Sequence, residues 1–358
     1  VILLNPGPVT LSARVRRSLL RPDLCHRESE FFDLQDELRS GLLAAYQCDA
    51  AAWSPVLLTG SGTAAVESML TSLIPEGGAV LIAENGVYGE RMAQICARFR
   101  IPHERLPGDW LQVLDLARLE RRLNAGSAGT RFTHLAVVHH ETTTGRLNPL
   151  PPLSELCRSH GVGLLVDAVS SFGAEEIDVQ DETLVALAAT ANKCLHGVPG
   201  VAFVLARRGA LSKGASRSYY LDLARLARLQ DERNTPFTPA VQACYALAEG
   251  LREFAEQGGR PARYRRYAAL AEQVRGGLAT LGVAALLPPE DSSVVLRSYR
   301  LPAGVHYQAL HDALKNAGFV IYAGQGGLAD SIFRIAHMGE VSAGDMARLL
   351  ECMAEFLP

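Results

Sequence analysis

Lys193 sits in the run Ala188-Ala189-Thr190-Ala191-Asn192-Lys193-Cys194 and is followed by Gly197-Val198-Pro199-Gly200. An amine among small and apolar residues is partly desolvated, which lowers its pKa and frees a lone pair for imine chemistry. Asp167 stands 26 residues earlier, closing the apolar run Val162-Gly163-Leu164-Leu165-Val166. A lone carboxylate in such a place needs a cationic partner. A pyridoxal phosphate ring would satisfy both groups, its aldehyde on the lysine and its pyridinium nitrogen on the aspartate. Each residue also has a plainer reading. Lysines are usually solvated at the surface, and an Asp at a strand end often caps the next turn, here at Ser170 and Ser171.

Further groups fall at what the pattern makes the same sheet edge. Thr59-Gly60-Ser61-Gly62-Thr63 lies between a strand and a helix, where Gly permits a sharp turn and the first N–H groups attract an anion such as a phosphate. It is also an ordinary strand-to-helix turn, and it is neither a Walker loop nor a dinucleotide fingerprint. Glu141-Thr142-Thr143-Thr144-Gly145 follows another strand and offers hydroxyls to a ring oxygen, or simply a capped turn. Tyr88, in Asn85-Gly86-Val87-Tyr88-Gly89, could stack on a planar ring or merely pack. Arg334, within Ile332-Phe333-Arg334-Ile335, must find an anion: a bidentate carboxylate or phosphonate from a ligand, or an internal salt bridge. The phosphate turn, the hydroxyl loop, Asp167 and Lys193 all fall at strand ends of one sheet, and four such coincidences are harder to accept than one cofactor. The histidines, including His139, His140 and His196, lack metal-ligand spacing, so no metal is expected.

These groups must be positioned by an α/β framework. Apolar strands at Val56–Thr59, Ala79–Ile82, Leu135–Val138, Gly163–Val166, Leu184–Ala188 and Val201–Leu205 alternate with helices, as in a mostly parallel sheet sandwiched by helices. Helical patterns at Pro239–Phe254 and Ala262–Leu281 follow. Then come strands at Ser293–Tyr299, Phe319–Tyr322 and Ile332–Ile335, with helices at Tyr307–Ala317 and Gly344–Phe356. This predicts a large domain over residues 1–254 and a smaller α+β domain over 255–358, with Asn5-Pro6-Gly7-Pro8 at their junction. The length of 358 residues suits two domains.

With 48% hydrophobic and 20% charged residues and a net charge of −3, the chain reads as a soluble globular protein. Nothing suggests a nucleic-acid groove, an anionic membrane surface or a membrane span. Val1-Ile2-Leu3-Leu4 is too soon broken for a signal peptide. Seven cysteines, at 25, 48, 96, 157, 194, 244 and 352, have no CxxC spacing and read as reduced thiols of a cytoplasmic protein.

In the order Asn5-Pro6-Gly7-Pro8-Val9, Ser61-Gly62-Thr63, Glu141 to Gly145, Asp167, Lys193 and Arg334, the chain resembles the class V aminotransferases of fold type I over essentially its whole length. The runs Asp167 to Gly173, Ala191 to Gly200 and Gly318 to Tyr322 are most similar to the branch that transaminates 2-aminoethylphosphonate with pyruvate. The alanine–glyoxylate and serine–pyruvate branch comes next; lyases and desulfurases of the fold are more distant, Tyr88 standing where desulfurases carry a histidine. The resemblance implies a homodimer using pyridoxal 5′-phosphate, an amino donor and a 2-oxo acid. It implies that Lys193 carries the cofactor and shuttles a proton, that Asp167 keeps the ring nitrogen protonated, and that Tyr88 stacks on the ring. Ser61, Gly62 and Thr63 would hold the phosphate, and Thr142 would reach the ring oxygen. Asn192 takes the place before the lysine. Thr235 and Thr238 would reach the partner subunit's phosphate. Arg334 would grip the substrate's acidic group, with Gly7 also on the substrate side. The segment Cys25 to Phe32 is similar to the His-Arg loop of the wider family rather than to the Trp-Asp-rich stretch of the phosphonate enzymes. With Arg334 it is where the donor would be decided.

Overall fold

A computed structural model describes residues 1–126, 131–212 and 216–357. Seven strands form the main sheet: β1 (Trp53–Gly60), β2 (Ala79–Glu84), β3 (His103–Pro107), β4 (Phe132–Val138), β5 (Gly163–Asp167), β6 (Leu184–Thr190) and β7 (Gly200–Arg207). Their spatial order is β1-β7-β6-β5-β4-β2-β3. Only β7 runs against its neighbours; every other pairing in this sheet is parallel. The carboxyl ends of β1, β2, β4, β5 and β6 therefore share one edge with the start of β7.

The strands are apolar on both faces because both faces are covered. Ala79, Leu81 and Ala83 of β2 join one hydrophobic core with Leu135, Val137, Leu164 and Val166. Val80 and Ile82, one residue out of phase, join a second core with Ala136, Val138 and Leu165. This is the period-2 alternation of a strand buried twice over, which in sequence reads as an unbroken apolar run. The charged run that forms β3 hid its strand, and Pro55 hid the first half of β1. Both are edge strands of this sheet, where a missing donor and polar side chains are tolerated.

Beyond the helices Val241–Glu256 and Gly259–Thr280 comes a second, smaller unit. Its sheet is β8 (Leu296–Arg300), β9 (Tyr322–Ala323) and β10 (Ile332–Ala336), antiparallel in the order β8-β10-β9. Its core gathers Leu270, Val274, Leu278, Phe333, Ile335, Met346, Leu349 and Met353, and also Leu4. The expected strand Phe319–Tyr322 is split, because its two halves serve different partners. Tyr322 and Ala323 pair with β10, whereas Phe319 and Val320 pair in parallel with Ile2 and Leu3. The start of the chain is thus sewn to the small unit. It then turns at Asn5-Pro6-Gly7-Pro8 toward the edge of the main sheet. The final helix, Ala343–Phe356, begins in a capping box between Ser342 and Asp345.

Candidate active site

Ser61, Gly62, Thr63, Tyr88, Asp167, Asn192 and Lys193 line one cleft at the carboxyl edge of the main sheet. Open α/β sheets bind ligands there, because the loops leaving adjacent strands converge.

Lys193 follows β6 by three residues and is partly buried. Its Nζ donates to the carbonyl of Pro6 at 2.5 Å. Burial pulls its pKa down from 10.5 to about 8, a loss partly offset by Asp167. Gly7 packs on the lysine, for a Cβ there would lie 3.4 Å from Lys193 Cε. Its φ of +112° also belongs to the region that favours glycine. Asn192 Oδ1 accepts from Thr190 Oγ1 at 2.8 Å, bracing the approach to Lys193.

Asp167 ends β5 and is 6% exposed. Its Oδ1 accepts from the Val169 amide at 2.9 Å. Desolvation pushes its pKa up from 3.8 to about 6, with Lys193 and Arg91 pulling the other way. The carboxylate is therefore held at an energetic cost that a cation opposite it would relieve.

The phosphate-type turn opens the helix Gly62–Leu73, whose N-cap Ser61 makes no capping bond through its side chain. The first N–H groups of such a helix have no carbonyl to bond within it. A Cβ on Gly62 would meet Val169 Cγ1 at 2.6 Å, so glycine lets this helix start close against the turn that follows Asp167.

Tyr88 begins a second helix at the edge, Val87–Arg98, capped from outside. Glu141 Oε2 accepts from the Tyr88 amide at 3.2 Å, and Oε1 accepts from Thr143 N at 3.1 Å and Thr143 Oγ1 at 2.6 Å. This buried carboxyl is pushed up to about 7, chiefly by desolvation. Thr142, beside it, has a buried Oγ1 with no partner, a polar atom waiting for one.

Arg334, central in β10, is 2% exposed. Its Nε donates to Ala323 O at 2.7 Å, and its Nη1 donates to Thr142 O at 2.8 Å and Gln325 Oε1 at 3.2 Å. All three acceptors are neutral, so the internal salt bridge is not formed among the described residues. Burial lowers its pKa. The guanidinium makes no salt bridge among the described residues, although Glu141 acts on it electrostatically.

Not every expected residue meets the others. Thr235 lines a separate pocket with Phe31 and Phe237, and its Oγ1 donates to Phe237 O at 3.1 Å. Thr238 is exposed, and neither it nor Thr235 lines the Lys193 cleft. The Cys25–Phe32 segment is also outside that cleft, with Ser29 starting the helix Ser29–Ala44 and Phe31 buried in the large core.

Three residues of the site were not foreseen as such: Arg91, Glu141 and Gln325. Arg91 lines the cleft one helical turn after Tyr88, a spacing that could have flagged it. The carboxyl role of Glu141 and the bond from Arg334 to Gln325 have no local signal, since they join segments far apart in sequence.

The class-V aminotransferase family model matches residues 23–341. The chain is 36% identical, over 99% of its length and 96% of the relative's, to the 2-aminoethylphosphonate–pyruvate transaminase of Pseudomonas putida strain F1. Among solved structures, it superposes on the alanine–glyoxylate aminotransferase of Nostoc sp. with a TM-score of 0.92. The identity is 27%, over 100% of this chain and 95% of that one. The subgroup IV aspartate aminotransferase of Thermus thermophilus gives a TM-score of 0.90 at 28% identity, over 100% and 99% of the two chains. With a family model spanning most of its length and a relative matching end to end, the chain belongs to the class-V aminotransferases.

Proposed function

We propose that the chain uses pyridoxal 5′-phosphate to transfer the amino group of 2-aminoethylphosphonate to pyruvate, yielding phosphonoacetaldehyde and L-alanine. The observation that carries the reading is the meeting of Lys193 and the buried Asp167 in one cleft, with the buried Arg334 near enough to act electrostatically on Lys193. The residues fit the cofactor. Lys193 suits its aldehyde, Asp167 its ring nitrogen, Tyr88 its ring face, and Ser61, Gly62 and Thr63 its phosphate. Thr142 does not line this cleft, but its buried, unpartnered hydroxyl suits the ring oxygen. Bound there, the cofactor supplies an electron sink for the bond-breaking step.

The protein's own part is to bind, orient and move protons. With a pKa near 8, a useful fraction of Lys193 is neutral near pH 7, able first to act as a nucleophile and then to take and return the proton at the substrate carbon. Arg334 holds the acidic end of donor and acceptor in turn, as a ping-pong exchange requires. The name and end-to-end similarity of the Pseudomonas relative support phosphonate as the donor's acid. The alanine–glyoxylate reading is supported by the Nostoc superposition.

The working unit in this reading is a homodimer. Tyr219 is 76% and Tyr220 44% exposed, both against Phe237, next to Thr235 and Thr238. A second copy covering these rings would bring the two threonines toward its own phosphate seat. Seven free cysteines fit a reducing, cytoplasmic setting. No helix among the described residues is long and apolar enough to cross a membrane.

The test is a donor panel of 2-aminoethylphosphonate, alanine and serine, read by loss of the visible absorbance of the lysine-bound cofactor. The phosphonate should discharge it fastest. Discharge by alanine but not by the phosphonate would shift the assignment to the second reading. In Lys193→Ala the visible band should be absent, and its persistence would remove the lysine from its role.

A further inference from the structure

Arg91 is the one cation of the cleft that the reading above leaves without a task. It lies on the helix Val87–Arg98, one turn beyond Tyr88, and its guanidinium carbon stands 4.6 Å from the Tyr88 ring centroid. Its Nη1 donates to Thr63 Oγ1 at 3.1 Å. Neither partner is an anion. The guanidinium therefore links two elements that leave different strands: the ring platform after β2 and the turn after β1. It meets Thr63 at the hydroxyl, and that has a directional consequence. A threonine hydroxyl accepting from a cation has its own proton left to give, and the polarisation makes it a better donor.

We propose that Arg91 is a positioning residue of the cofactor's phosphate seat, fixing and polarising the Thr63 hydroxyl so that it donates to the phosphate, while holding Tyr88 in its stacking orientation. The inference rests on the cofactor reading. It adds a charge to a seat that otherwise consists of backbone N–H groups and neutral hydroxyls. A phosphate dianion is better held with a guanidinium nearby than by neutral donors alone. The single bond to Thr63 leaves the other guanidinium nitrogens for the ring face or for the phosphate itself. Arg91 also raises the positive potential around Asp167 and Lys193, since it acts electrostatically on both.

The experiment compares wild type with R91M and R91K after the holoenzyme has been stripped of cofactor. Dissociation constants are measured for pyridoxal 5′-phosphate and for pyridoxal, which lacks the phosphate, and the melting temperature is followed with inorganic phosphate. R91M should weaken pyridoxal 5′-phosphate roughly 10- to 100-fold, the loss of one charge-assisted contact. It should leave pyridoxal within about 3-fold and abolish stabilisation by inorganic phosphate. R91K should fall between, because an ammonium keeps the charge but neither the planar stacking nor the fork. R91K carries the test alone should R91M fail to fold. Equal weakening of both ligands, or of neither, would overturn the phosphate role while leaving the cofactor reading intact. Failure of the wild-type protein to bind pyridoxal 5′-phosphate would overturn the cofactor reading and this inference with it.

Discussion

Replacing Arg334 with lysine separates substrate binding from folding. In the protein as it stands, the guanidinium makes three hydrogen bonds to neutral acceptors, at 2.7 Å to Ala323 O, 2.8 Å to Thr142 O and 3.2 Å to Gln325 Oε1. It is 2% exposed, in the middle strand of the small sheet. A shorter ammonium can keep about one of these bonds, so the loss in stability is about 1–3 kcal/mol. Part of that is returned, because a flexible lysine can reach toward water. The loss in function should be larger. An acid held by a two-pronged contact keeps only one prong, and a charge-assisted bond is worth about 1.5–3 kcal/mol, or roughly 10- to 100-fold in kcat/KM. The misplaced charge and the altered orientation add to this. The assay is kcat/KM for 2-aminoethylphosphonate and pyruvate, beside a melting curve and the slow turnover of propylamine, a donor without an acidic group. Arg334→Lys should lose at least about 100-fold with the acids. It should lose little with propylamine and remain folded at the assay temperature. If propylamine suffers as much as the phosphonate, or if unfolding accounts for the loss, Arg334 is a structural residue and not the anion seat.

Glu141 gives a pH-dependent prediction. Its pKa rises from 4.5 to about 7 on burial, so between these values the folded state binds more protons than the unfolded one. Stability contributed by this group therefore falls as pH rises through that window, by about 3 kcal/mol at most. Glu141→Gln is always neutral, so its melting temperature relative to wild type should climb from about pH 5 to about pH 8; a flat difference would mean the carboxyl is not held as described. Gly250, on the helix Val241–Glu256, tests the support of the lysine loop, since a Cβ there would stand 2.5 Å from the Leu195 carbonyl. Gly250→Ala should cost about 1–3 kcal/mol despite alanine's better helix propensity, and should weaken cofactor binding. A variant as stable as wild type would show that the loop can move freely.

The sheet was legible because strands buried on both faces write continuous apolar runs, and β2, β4, β5 and β6 do so. Where burial is one-sided or marginal, as in β3 with its sequence His103-Glu104-Arg105-Leu106-Pro107, the run disappears and so did the strand. Lys193 and Asp167 stood out because a charge in an apolar context must be used or neutralised. Arg334 was flagged for the same reason, but sequence left a salt bridge open, and only tertiary contacts show neutral acceptors around it. Glu141 and Gln325 carry no such signal. Their partners lie on other loops, and nothing in their neighbours distinguishes a buried carboxyl or amide from a solvated one.

If Arg334 is the anion seat proposed above, its spacing from the Lys193 amine is fixed at the junction, by neither unit alone. Lys193 belongs to the loop after β6, whereas Arg334 belongs to β10 of the small unit. The lysine loop is nevertheless tied to the small unit on several sides. Pro6 O accepts from Lys193 Nζ, and the strand just before Pro6 is paired with Phe319 and Val320. Arg263, on the helix Gly259–Thr280, donates to Cys194 O. His196, with φ of +57°, turns its Nε2 to accept from Gly339 N at 2.9 Å, with the Tyr267 hydroxyl 2.6 Å from the same nitrogen. Burial holds this imidazole's pKa well below its usual value, which keeps it neutral and able to accept from Gly339. From the other side, Arg334 donates to Thr142 O, a loop of the main sheet. Each functional group is thus anchored to the unit that it does not come from. A shift of the small unit would move Lys193 and Arg334 together, preserving the distance that an acidic substrate would span in the proposed reading. Because a misplacement of about 1 Å can cost on the order of 100-fold in rate, such cross-anchoring is what lets a site built from two units work as one.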